Sequence, residues 1–173
     1  MKKYGIYVGR FNPLHAGHCT VIENVLKVHG IEKSLIIVGS SNTGFSLRHF
    51  FSYGERVQFI KKVFPDLKVV GLPDYRDDKE WLSALDDILN VAGIDPKDVT
   101  FWGGCQEDIR FFCDDGRDYH ILNRFDGTSK KISATEVRDA LIFDRSLDGL
   151  VHSAIISDLT KLFKEHWEKF KKM

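Results

Sequence analysis

The chain has 173 residues, 43% of them hydrophobic, which is the size of one ordinary domain with enough apolar material for one sizeable core. Twenty-five basic residues balance twenty-five acidic ones, so no global field draws the protein onto nucleic acid or an anionic membrane, and any bound anion must meet a local cluster of positive groups. The three cysteines, Cys19, Cys105 and Cys113, lack the paired spacing of a zinc site and fit a reduced, cytoplasmic setting, while the start MKKYGIYVGRF reaches Gly9 and Arg10 before a signal-like run develops and no later stretch is long enough for a membrane span.

In chain order, short β-rich runs alternate with segments of helical period. Lys3 to Val8 reads as the first strand, and Val21, Ile22, Val25 and Leu26 as the buried stripe of a helix that begins near His18 and stops at Gly30. Ser34 to Val38 is the second strand. Val57, Ile60, Val63 and Phe64 mark a helix ended by Pro65, Leu67 to Leu72 the third strand, and Trp81, Leu82, Leu85, Ile88 and Leu89 a helix ended by Gly93. Val99 to Trp102 and Tyr119 to Leu122 complete five strands. The alternation predicts an α/β fold, a five-stranded parallel sheet with helices on both faces. A polar loop from Asn123 to Lys131 then leads into a helical part over about 133–173. In its tail Leu159, Leu162, Phe163, Trp167 and Phe170 share a face; a helix capping the same domain is the expected role and a subunit contact in a homo-oligomer the second.

The chemistry is concentrated at the first strand-to-helix junction, Gly9-Arg10-Phe11-Asn12-Pro13-Leu14-His15-Ala16-Gly17-His18. In an open parallel sheet this turn lies at the carboxyl end of a strand, where ligands bind. Gly9 and Gly17 let backbone approach a ligand, Arg10 adds a planar fork of donors, and the helix start offers N–H groups to a phosphate. His15 and His18, one helical turn apart, are expected to point at that same phosphate. A lone histidine or glycine is usually structural. Their joint occurrence at one junction favours function, because folding alone demands none of these basic groups there. A second constellation, Ile132-Ser133-Ala134-Thr135-Glu136-Val137-Arg138, reads as a capping box, with the Ser133 hydroxyl accepting from the Glu136 N–H. The capped start still presents donors, and Thr135 and Arg138 add a hydroxyl and a charge. Two helix starts bracketing one cleft suit a polyphosphate.

GRFNPLHAGH and ISATEVR resemble the two signatures of the HxGH nucleotidyltransferase superfamily, and the first is most similar to nicotinamide mononucleotide adenylyltransferases of the archaeal and related bacterial type. The resemblance covers most of the chain and implies a Rossmann-like nucleotidyltransferase fold. It implies that His15, His18, Arg48 and Arg138 are catalytic, that Gly9, Arg10, Phe11, Gly17, Gly103, Ile132, Ser133 and Thr135 bind ATP, and that Gly39, Ser40, Asp78 and Trp81 bind the acceptor, with Trp81 stacked on the nicotinamide ring. Asn12 stands where many relatives carry glutamine, and Asp78 where archaeal enzymes tend to have asparagine. Gly103-Gly104-Cys105-Gln106-Glu107-Asp108 looks closer to the bacterial branch, whose members often carry a second hydrolase domain that a chain this short lacks.

The expected reaction is adenylyl transfer from ATP to nicotinamide mononucleotide, giving NAD and pyrophosphate. The acceptor phosphate is already largely ionised, its second pKa lying near ~6, so no base is needed and donors and cations must align two anions. Magnesium would arrive with ATP rather than in a permanent protein site, since no carboxylate cluster is placed to cage it. Rival readings are transfer to pantetheine phosphate, FMN or glycerol phosphate, and a non-catalytic ATP sensor. A class I aminoacyl-tRNA synthetase is opposed by length and charge, and a dehydrogenase domain by the absence of G-x-G-x-x-G after the first strand.

Overall fold

A strand covered on both faces must be apolar at successive positions, and Ser34–Val38 and Val99–Gly103 are buried throughout. The computed structural model describes residues 1–122 and 132–173. It pairs β1 (Tyr4–Gly9), β2 (Ser34–Val38), β3 (Lys68–Gly71), β4 (Val99–Gly103) and β5 (Tyr119–Ile121) into one all-parallel sheet of order β3-β2-β1-β4-β5. The order reverses beside β1, where Ile6 lies level with Leu35 of β2 and Phe101 of β4. At such a switch point the loops leaving adjacent strands diverge and open a crevice.

Alternation along the strands divides the core into two layers. Tyr7, Ile36, Val38 and Trp102 face α1 (Ala16–His29), α2 (Tyr53–Val63), α5 (Ala134–Ile142) and α6 (Ile156–Lys171). Ile6, Leu35, Ile37 and Phe101 face α3 (Asp78–Val91) and α4 (Gln106–Asp114). All five expected strands are present, with ends displaced by one residue at most. The tail caps the first layer: Leu159 and Phe163 are buried, Leu162, Trp167 and Phe170 pack against them, and the Phe163 ring stacks on Phe50 at 5.0 Å. No helix among the described residues is long and apolar enough to cross a membrane.

Two local expectations need correction. The first helix begins at Ala16 rather than near His18, because His15 serves as its N-cap, accepting the Gly17 and His18 amides on Nδ1. The helix α4 follows Cys105 in a stretch read from sequence only as a motif; it is nine residues long and buries just Ile109 and Phe112. The predicted polar loop from Asn123 to Lys131 lies outside the described residues.

Candidate active site

The carboxyl ends of β1 and β2 and the starts of α1, α3, α4 and α5 surround a cavity of about 790 Å³. Its two ends differ in composition. Toward β1 and α5 it is bordered by Arg10, His18, Arg48, Thr135 and Arg138, with the Asp74 carboxylate acting on Arg10; toward α3 and α4 it is bordered by Trp81, Phe111 and the carboxylates of Asp77, Asp78, Glu107 and Asp108.

Local sequence explains the cationic end. Gly9 closes β1 where a Cβ would fall 2.9 Å from the Phe11 ring, and Phe11 itself turns through φ 51°, a conformation that non-glycine residues rarely adopt and that cavities and active sites often retain. The Asn12 side chain pairs with a distant main chain, its amide nitrogen donating to the Phe51 carbonyl at 3.2 Å and its oxygen accepting the Phe51 N–H at 2.9 Å. Arg138 reaches from α5 to donate to the Asn12 carbonyl at 2.9 Å and to the Thr135 hydroxyl at 3.3 Å. The two motifs are therefore joined physically. Burial lowers the pKa of both Arg10 and Arg138; Arg48 lowers each further, while Asp74 opposes the shift at Arg10 and Asp139 that at Arg138, so Arg48 repels a guanidinium on either side. Such a cluster is relieved by a polyanion.

The histidines form a reciprocal pair. His15 accepts the Gly17 and His18 amides at 3.1 and 3.4 Å, and His18 Nδ1 accepts the His15 amide at 3.1 Å, with the rings stacked 3.5 Å apart. A neutral imidazole that accepts at Nδ1 carries its proton on Nε2, so each ring is a donor at its other nitrogen. His18 borders the cavity, whereas His15 is 4% exposed and lies behind it. The expectation that the first helix start offers open amides is corrected here: Ala16 donates to the Leu150 carbonyl at 2.8 Å, and Gly17 and His18 are taken by His15. Ala134 and Thr135, the first two residues of α5, both border the cavity. Ser133 caps this helix, its hydroxyl accepting the Glu136 N–H at 3.1 Å as expected.

At the opposite end the Trp81 and Phe111 rings lie 5.6 Å apart. Two neighbouring carboxylates are committed to backbone, Asp77 accepting the Glu80 N–H at 2.7 Å and Asp108 the Gly104 N–H at 2.8 Å. Gly39 and Ser40 join the ends at the top of β2; Ser40 stands at φ 50° and donates to Asp74 at 2.9 Å.

Of the residues named from sequence, the cavity brings together Gly9, Arg10, Phe11, His18, Gly39, Ser40, Arg48, Asp78, Trp81, Thr135 and Arg138. His15, Gly17, Ile132 and Ser133 are not among the residues that line it. Gly103 also stands outside it, and its missing side chain serves packing, since a Cβ would lie 2.7 Å from Asp108 and Ile109 of α4. Sequence reading missed Phe111, and it gave no individual role to Asp74, Glu107 or the wholly buried Arg56. For Phe111 and Glu107 the usable signal was their place after a strand end; Arg56 gave none, because its partners are main-chain carbonyls. The half-buried His49 lies near Arg10 and Arg48, its buried Nδ1 without a hydrogen-bond partner among the described residues. Cys19, in the first turn of α1, is not a nucleophile, because burial pushes its thiol up to about 12.

The family model described as cytidylyltransferase-like matches residues 6–140. The chain is 25% identical over 166 residues, 91% of its length, to the nicotinamide-nucleotide adenylyltransferase of Thermococcus sibiricus, covering 83% of that protein. It is 27% identical to the protein of the same name from Saccharolobus solfataricus, over 85% of this chain and 84% of that one. Among solved structures, the bifunctional NMN adenylyltransferase/ADP ribose pyrophosphatase from Francisella tularensis superposes with a TM-score of 0.75 at 19% identity, over 95% of this chain. The chain spans 52% of that protein's length. The Francisella protein has also been solved with AMP and a manganese ion, with a TM-score of 0.71 at 20% identity over 96% of this chain and 52% of that one.

Proposed function

The chain belongs to the cytidylyltransferase-like family, and we propose that within it this protein is a nicotinamide-nucleotide adenylyltransferase, moving AMP from ATP to nicotinamide mononucleotide with release of pyrophosphate. The observation that carries the reading is that one cavity gathers the Arg10, Arg48 and Arg138 cations and the start of α5 at one end and the Trp81–Phe111 pair with the carboxylates of α3 and α4 at the other. Triphosphate belongs with the first. A flat, positively charged pyridinium ring belongs with the second, between Trp81 and the acidic rim.

The acceptor phosphate attacks the α-phosphorus of ATP; a P–O bond forms there while the bond to the bridging oxygen breaks, and the electron pair leaves with pyrophosphate. The attacking oxygen arrives ionised, so the protein's task is alignment and charge stabilisation. Arg48 and Arg138 hold the triphosphate tail, and Arg10 lies between the two anions. The Nε2–H of His18 donates to the inner phosphates, where charge builds, together with the Ala134 and Thr135 amides. His15 holds His18 and the loop in register. The substrate is ATP with its divalent ion, taken here to be magnesium. The ion arrives with ATP, and phosphate oxygens and waters supply most of its ligands.

The test is a matrix of donors and acceptors. ATP or CTP is offered with nicotinamide mononucleotide, pantetheine phosphate, FMN or glycerol phosphate, and products are resolved by chromatography. ATP with nicotinamide mononucleotide should be consumed fastest, yielding NAD. Faster turnover of another pair would move the assignment elsewhere in the family, and pyrophosphate release from no pair would leave a nucleotide sensor.

A further inference from the structure

A buried guanidinium is ordinarily matched by a carboxylate, because an unpaired charge is costly to remove from water. Arg56, on the first turns of α2, is 1% exposed and is held instead by four main-chain oxygens. Its Nη1 donates to the Arg10 carbonyl at 2.9 Å and the Gly39 carbonyl at 2.8 Å, its Nη2 to the Ser40 carbonyl at 3.0 Å and its Nε to the Ser52 carbonyl at 3.3 Å. Burial lowers its pKa, and Asp74, which accepts the Ser40 hydroxyl, raises it again.

Three of those carbonyls belong to the loops leaving β1 and β2. One loop carries Arg10 and leads to His18; the other carries Ser40, whose φ of 50° needs outside support. Between the strand ends themselves there is also the Gly39 N–H to Gly9 carbonyl bond, at 2.8 Å. We propose that Arg56 is a positioning residue: its planar fork sets the separation of the two loops, and through them the alignment of a triphosphate gripped on one side with an acceptor held on the other. The assignment rests on the transferase reading. Lysine keeps the charge but offers donors from a single point, so it cannot span the same carbonyls.

The experiment compares the parent with Arg56→Lys and Arg56→Ala, reading kcat, both KM values and thermal melting under the same conditions. Each half of the site survives in Arg56→Lys while their mutual alignment is lost, so kcat should fall roughly 10- to 100-fold with both KM values within about threefold. Millimolar guanidinium ion should return part of the lost kcat to Arg56→Ala. A folded Arg56→Lys with parental kcat, or a loss wholly matched by its unfolded fraction, overturns the proposal. Should Arg56→Lys not fold, Arg56→Ala is folded with guanidinium ion: recovery of fold together with rate supports the proposal, and recovery of fold without rate, or of neither, overturns it. An inactive parent removes both readings, whereas an active parent with indifferent variants removes only this one.

Discussion

Single residues in this protein carry information to different depths. Gly9, Arg10 and His18 were readable because a strand-to-helix junction has few structural reasons to hold them, and they do border the cavity. His15 was readable only in part. Its type suggested chemistry, but histidine is not among the usual N-caps, so its structural use at the start of α1 was invisible until the Gly17 and His18 amides were seen on its Nδ1. Arg56 and Asn12 bond to backbone carbonyls and amides far along the chain, and such partners leave no residue-type signature. The acidic rim yields a prediction at this scale. Nicotinic acid mononucleotide carries a carboxylate where nicotinamide mononucleotide has an amide, so if the ring occupies the proposed place beside Asp78 and Glu107, which line the cavity, the amide should be preferred as acceptor. Asp78→Asn with Glu107→Gln should narrow the ratio of kcat/KM values by about tenfold, near 1.4 kcal/mol, on relief of like-charge repulsion. A ratio unchanged by the double substitution would show that the rim does not select.

At the scale of elements, burial pattern decided what could be foreseen. Strands β2 and β4 are buried along their whole length and stand out as apolar runs; α4 does not, because nine residues with two buried side chains give too few turns for a period to show. The contact between α1 and β4 holds a pH-sensitive element. His29 Nε2 accepts the Trp102 indole N–H at 2.9 Å, which leaves Nδ1–H to face the Lys3 carbonyl at 3.3 Å. Burial lowers the His29 pKa, the Lys3 carbonyl opposing it. A lowered pKa means that the folded protein favours the neutral ring. This contribution is therefore complete above the ordinary value of ~6.5 and is lost as pH falls below it toward the folded-state pKa. His49 is lowered too, by burial first and then by Arg10, and acts in the same direction. Melting temperature should hold steady from pH 8 to 7 and fall on acidification past about 6.5, with a shallower fall in His29→Gln, whose amide still accepts from Trp102. Equal slopes in parent and variant would remove His29 from the account.

For the whole molecule, the sheet order β3-β2-β1-β4-β5 places both motifs, 117 positions apart between His18 and Thr135 as numbered, over one crevice beside β1. Periodicity gave the parallel sheet and family resemblance gave the ligands. Neither gave the acidic rim of the cavity, because that depends on α3 and α4 bringing Asp78 and Glu107 to the same space as Trp81. The structure also corrects one expectation, since the Ala16, Gly17 and His18 amides at the start of α1 are already taken within the protein. The most direct measurement is the single-turnover rate of NAD formation by His18→Ala beside that of the parent, with ATP affinity measured on both. Removal of a donor that acts where charge builds should slow the chemical step by about a hundredfold or more, while ATP affinity changes far less. A rate equal to the parent's would contradict the claim that this imidazole grips the inner phosphates during transfer.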